Sequence, residues 1–159
     1  MGLEGWSLVA CVVFAGLWAG LTGMLTLVIH RMLAPMSGGE FARFLGAFLP
    51  VARTSWFNYL EVAGMVIAPI VALFALGTSA GAPFVLTAIG LALTVAGPLL
   101  VSNRLAEPNY DAMLAWDPDA VPGDWLRSRH RYFAYNWIRF VATCGAFGLF
   151  IAALVEHLR

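Results

Sequence analysis

Four long apolar runs decide what this chain can fold into: about Trp6–Ile29, Phe57–Leu76, Pro83–Val101 and Phe133–Val155. A helix that crosses a bilayer needs about 20 mainly apolar residues. Hydrocarbon offers a backbone amide no partner, so each such run must bond within itself as a helix. The chain is therefore expected to be all-α: an integral membrane four-helix bundle forming one transmembrane domain over residues 1–159.

Composition agrees. Of 159 residues, 61% are hydrophobic and 11% charged, and the mean hydropathy is +0.82. A soluble domain carries about 25% charged residues, so no substantial water-soluble domain is expected. Nine acids balance nine basic residues, all of them arginine, which leaves no concentrated basic face for nucleic acid. Cys11 and Cys144 both lie inside apolar runs and read as small buried hydrophobes. The first run is preceded by Met1–Gly5 with no basic residue, and it outlasts the roughly 7–15-residue core of a secretory signal; it reads as a retained helix. No repeat or low-complexity tract interrupts the pattern.

The connections differ in kind. Gly77–Gly81 reads as a short turn. In residues 31–55, Phe41, Phe44, Leu45 and Phe48 recur at helical spacing, which predicts an amphipathic helix at the membrane interface between the first two spans. Residues 102–131 hold most of the acids and the Asp117-Pro118-Asp119 turn, and read as a loop. Gly16, Gly20 and Gly23 in the first span have the small-residue spacing that permits close helix contact, either within the bundle or between copies.

Polar groups inside spans are costly and tend to face the bundle interior. His30 ends the first span, Asn58 and Glu61 open the second, and Asn103 closes the third. Tyr132, Asn136, Arg139 and Thr143 form one stripe on the fourth. Because the chain reverses at each connection, these positions share one leaflet. His30, Glu61, Asn103, Asn136 and Arg139 are expected to lie together, with at least three of them lining a common pocket. Glu61 is the carboxylate available to pair with Arg139, whose alternative is to snorkel to the headgroups. Trp116 and Trp125 read equally as interfacial anchors and pocket walls. His157 falls on the opposite side from His30 and His130, and the methionines show no ligand spacing, so no haem, metal or other cofactor is expected.

The stretch Pro108-Asn109-Tyr110-Asp111 through Trp116-Asp117-Pro118, followed by Trp125, Arg129, Arg131-Tyr132 and Asn136-Trp137-Ile138-Arg139, resembles a bacterial four-helix membrane family of unknown function related to fungal anthrone oxygenases. The likeness lies mainly in the C-terminal 60 residues or so. It implies Asn109, Asn136 and Arg139 as a polar core; Tyr132 stands where a tryptophan is common in that family. It also implies cofactor-independent oxidation of a lipophilic aromatic or phenolic small molecule. For that chemistry His30 or Glu61 would serve as base and Arg139 would act on the anion. Asn58, Asn103, Asn109, Tyr132, Asn136, Trp137 and Trp116 would contact substrate. The competing expectation is a non-enzymatic subunit or small-molecule carrier, as a homo-oligomer or packed in a larger membrane complex. The two differ in whether the polar stripe converges on a cavity or closes it by internal pairing.

Orientation follows from arginine placement, since cytoplasmic loops carry the basic excess. Arg31, Arg43 and Arg53 follow the first span and Arg104, Arg127, Arg129 and Arg131 the third, against Arg159 alone on the other side. Both termini are expected to be extracytoplasmic, in a bacterial inner membrane. A periplasm-dependent reporter fused after Arg159 should be active; activity of a cytoplasm-dependent reporter there would reverse the assignment.

Overall fold

A computed structural model describes residues 1–78 and 81–159. Among the described residues five helices make up the fold: α1 (Leu3–Leu33), α2 (Gly38–Thr54), α3 (Trp56–Leu76), α4 (Ala82–Leu114) and α5 (Trp125–Leu158). Among the described residues there is no strand, and α1, α3, α4 and α5 are long and apolar enough to cross a membrane.

The four spans form a ring in which α1 packs on α3 and α5, and α4 packs on α5 and α3. Glycine contacts give the register. A Cβ on Gly16 would meet Phe147 and one on Gly23 would meet Phe140, so α1 and α5 run antiparallel. Gly90 against Phe150 and Gly97 against Ala142 give the same relation between α4 and α5. Gly16 and Gly23 are thus used inside the bundle, while Gly20 meets nothing within 4 Å. The half of the bundle holding the chain ends is closed by Leu8, Cys11, Ala15, Ala68, Ala72, Ala146, Phe150 and Ala153. Small residues dominate that list, as expected where helices associate by close packing in lipid. The turn between α3 and α4 needs glycine at its edges, since Gly77 (φ 65°) and Gly81 (φ 63°) adopt positive φ. Within that expected turn, Ser79 and Ala80 lie outside the described residues. Cys11 is buried as expected, Cys144 is exposed, and both are free.

Two features depart from the hydropathy reading. First, α4 continues to Leu114 and α5 already begins at Trp125, so most of the expected 102–131 loop is helical. Hydropathy marks where the hydrocarbon ends, and a helix has no reason to stop there. At about 1.5 Å per residue the 33 residues of α4 reach about 50 Å, well beyond a hydrocarbon core of about 30 Å. Second, the apolar face of α2 is turned to protein. Phe41, Leu45 and Leu49 are buried with Leu33, Ala106, Tyr110, Met113 and Tyr132 from the protruding ends of α1, α4 and α5. An amphipathic pattern specifies that one face is buried but not whether lipid or protein covers it.

The cap is fixed by local chemistry. Ser37 and Glu40 form a capping box at the start of α2, with the Ser37 amide donating to Glu40 Oε2 at 2.8 Å. Arg43 pairs with Asp119, and Arg129 Nη1 donates to the carbonyls of Ala34 (3.0 Å) and Met36 (3.2 Å) at the end of α1. These bonds hold α2 across one mouth of the bundle.

The α4–α5 contact at Gly97 is the least forgiving in the bundle, because an added Cβ would stand 2.3 Å from the Cβ of Ala142, a side chain with no rotamer to yield. Gly97→Ala is expected to cost about 1–3 kcal/mol, the usual range for overpacking. Gly20→Ala, in open space, should be neutral or slightly stabilising. Thermal unfolding of both variants in detergent tests this; equal behaviour would sink the account of α4–α5 packing.

Candidate functional site

Beneath α2 the bundle opens. α3 packs on α4 mainly along Ala82–Thr94, and beyond Thr94 α4 follows α5 instead. From there α4 is wound as a π-helix over Val95–Ala106, and α1 is wound the same way over Met24–Ile29. Pro98 accounts for the wide turns in α4, since it has no amide to donate and its ring crowds the carbonyl four residues back. Wide turns of this kind often occur at functional sites. Between the separated helices lies a cavity of about 670 Å³.

Its apolar walls are Trp18, Leu21 and Leu25 of α1, Phe48 and Leu49 of α2, Val62 of α3, and Pro98 and Leu99 of α4. Asn58, Tyr59, Ser102 and Asn103 stand on the facing sides of α3 and α4. Here Asn58 Nδ2 donates to the Ala52 carbonyl (2.8 Å) and Asn103 Nδ2 to the Leu99 carbonyl (2.9 Å). Arg53 of α2 reaches across to Glu107 and Asp111 of α4, at 2.7 Å from the latter. Tyr110, Tyr132 and Arg139 complete the lining from α4 and α5.

Arg139 is the centre of this end of the bundle. Its Nη1 donates to the Tyr110 hydroxyl and to Asn136 Oδ1, each at 3.3 Å. Its Cζ lies 5.9 Å from the centre of the Trp18 ring, within reach of a cation–π contact. The arginine therefore faces inward and does not snorkel. Among the described residues the ion pairs are Arg43–Asp119, Arg53–Glu107, Arg53–Asp111 and Arg159–Glu156, so Arg139 has no carboxylate partner. The expected Glu61–Arg139 pair is not formed. Glu61 is 1% exposed and its Oε2 has no hydrogen-bond partner. Gly64 packs against Phe14, so the backbone of Glu61, three residues nearer the cap, stands about level with Leu17.

The expected site residues divide. Asn58, Asn103, Tyr132 and Arg139 line the cavity. His30, Glu61 and Asn136 are buried beside it but do not line it, so two of the five expected pocket residues, Asn103 and Arg139, do so. Asn136 is joined to His30, with Nδ2 3.3 Å from His30 Nε2. Asn109 is a tie between helices: its Nδ2 donates to the Ser128 carbonyl of α5 at 3.1 Å. Trp116 packs into the cap, and Trp137 faces outward against Phe140, so neither indole touches the cavity. Sequence reasoning missed Trp18, Arg53 and Tyr110 as lining residues. Trp18 sits among apolar residues with nothing to distinguish it from core, and only the Pro108-Asn109 context pointed near Tyr110. Among the described residues no three His, Cys, Asp or Glu side chains come together to hold a metal ion.

Four buried polar atoms on residues that line the cavity lack partners: Trp18 Nε1, Arg53 Nε, Arg139 Nε and the Tyr132 hydroxyl. The first three only donate, and the fourth can donate. Comparison with known families, curated proteins and solved structures finds no match.

The two cavity tyrosines should respond differently to removal of the hydroxyl. Tyr110→Phe leaves Arg139 short of an acceptor and should cost about 1–3 kcal/mol. Tyr132→Phe removes a buried hydroxyl that has no partner, and stability in the absence of ligand should hold or rise. Thermal unfolding of the two variants decides; a loss of stability for Tyr132→Phe like that of Tyr110→Phe would show that the Tyr132 hydroxyl is paired.

Proposed function

We propose that this is a membrane-embedded, anthrone-oxygenase-like protein whose cavity takes a lipophilic aromatic with a phenolate or enolate oxygen. The observation that carries the reading is Arg139: a half-buried guanidinium lining a mainly apolar cavity, with neutral partners and further unpartnered donors on the neighbouring lining residues Trp18 and Tyr132. An arginine at mid-membrane depth costs roughly 2.5–3.5 kcal/mol on insertion scales, and it does not shed its proton to escape that cost. An anionic oxygen would satisfy Arg139, Trp18 and Tyr132 together, while Phe48, Leu25 and Leu99 enclose the rings.

The oxidation itself rests on the resemblance of the Pro108–Arg139 region. A methylene between aromatic rings loses a proton, and the resulting enolate adds dioxygen. The hydroperoxide then sheds water to leave a carbonyl, one oxygen atom in the product and one in water. Arg139, Trp18 and Tyr132 hold the enolate oxygen. Glu61, between the lining residues Asn58 and Val62 in sequence and with a carboxylate oxygen that has no partner, is assigned the proton. The polar half is assigned to the cytoplasmic leaflet of a bacterial inner membrane, with both termini extracytoplasmic, on the arginine distribution.

Protein in liposomes should bind a dihydroxyanthrone and consume dioxygen above the rate in protein-free liposomes, one dioxygen per anthrone. Arg139→Gln should lower both by about 10–100-fold, as expected for loss of a charge-assisted hydrogen bond of about 1.5–3 kcal/mol. Arg139→Lys should recover little, because lysine lacks the planar donor fork. Binding without oxygen consumption would reject the oxygenase reading and favour a carrier.

A further inference from the structure

His30 is one of the two residues expected to serve as base, yet its surroundings give it a different task. It is buried, stacked on Phe133 with ring centres 4.2 Å apart, and bonded through Nε2 to the Asn136 amide at 3.3 Å. Asn136 is 2% exposed and touches two groups of opposite demands. A guanidinium has donors and no acceptor, so the Asn136 atom that faces Arg139 must be Oδ1. The amide is thereby fixed, and its NH2 points at His30. A nitrogen facing an NH2 must accept, so His30 Nε2 carries the lone pair and Nδ1 the proton. The opposite arrangement would aim the Asn136 NH2 at a cation. The charge-assisted bond is the stronger of the two and sets the direction of the chain.

We infer that His30 is a positioning residue: held as the Nδ1–H tautomer, it locks the Asn136 amide, which in turn aims Arg139 into the cavity. The only basic nitrogen of a neutral imidazole is Nε2 here, and Asn136 occupies it. His30 therefore has no lone pair to offer a substrate, and its ring is screened from the cavity. The Nδ1–H has no partner among the described residues.

The tautomer is read directly from nitrogen NMR of the ligand-free protein labelled at histidine, with the His30 signals identified by their loss in His30→Gln. The wild type should show a protonated Nδ1 and an unprotonated Nε2. Asn136→Leu, and separately Arg139→Gln, should shift the ring toward the Nε2–H form, because each removes what fixes the amide. An Nε2–H ring in the wild type, or a spectrum indifferent to both substitutions, overturns the inference. None of these readouts depends on any ligand, so they stand even if the proposed substrate class is wrong.

A second arm rests on the anthrone-oxygenase reading. His30→Gln places an amide oxygen where Nε2 stood and should keep dihydroxyanthrone binding and turnover within a few-fold of wild type. His30→Leu and Asn136→Leu should each lose about tenfold in binding, the effect of one hydrogen bond of about 1.4 kcal/mol. Normal binding by His30→Gln with turnover abolished would make His30 the base and overturn the positioning role.

Discussion

The polar end of this protein is organised around a cation that hydrocarbon cannot tolerate alone. Glu61 and Arg139 are the only charged side chains within the four apolar runs, and they do not meet. Their backbones stand at different levels: Gly64 against Phe14 sets Glu61 about level with Leu17, and Gly23 against Phe140 sets Arg139 about level with Met24. Seven residues of α1 separate those levels, about 10 Å along the helix axis. Arg139 is satisfied instead by the dipoles of Tyr110 and Asn136, with the Trp18 ring as a third contact. Neutral partners reduce the cost of burying the charge without cancelling it, which leaves a site with a standing preference for an anion.

That preference is exploitable because the bundle is built unevenly. In the half nearest the chain ends, alanines and glycines allow close helix approach, and Phe150 fills what remains. In the other half Pro98 forces wide turns, α4 leaves α3, and larger side chains stand around a space. α2 lies over that half, pinned by Arg43 to Asp119 and by Arg53 to Glu107 and Asp111.

The same division explains which parts of the fold were legible in sequence. The four spans, the shared leaflet of the polar residues and the inward stripe of α5 all follow from hydropathy and helical period, which act locally. The intrabundle use of Gly16 and Gly23 was one of two readings open, and the partners Phe147 and Phe140 settle it. What escaped depends on neighbours. The extension of α4 to Leu114 is invisible to hydropathy because a helix in water needs no apolar run. The face of α2 reads identically against lipid and against Tyr110, Met113 and Tyr132. The Glu61–Arg139 pair was inferred from charge alone, whereas depth and side-chain direction decide it. Trp137 and Asn136 are adjacent on α5, yet one faces outward and the other is buried, a distinction the helical period contains.

Buried polar groups without partners are rare in folded proteins, and each calls for a reason. Here they are not scattered: Trp18, Thr26, His30, Glu61, Tyr132 and Arg139 belong to the half of the bundle that holds the cavity, and Arg53 and Arg129 to the cap over it. A structural polar core would be selected to close on itself, because a half-satisfied network is worse than an apolar one. This network closes on one side only. From His30 through Asn136 to Arg139 and Tyr110 it is continuous, and on the side facing the cavity it ends in unused donors. An arrangement rigid behind and unsatisfied in front resembles a binding site more than a failed core, since preorganised donors gain most when the group they await arrives. The cost of that readiness falls on the ligand-free fold, and the close packing of the opposite half, at Gly90 and Gly64, is the part of the structure in a position to offset it.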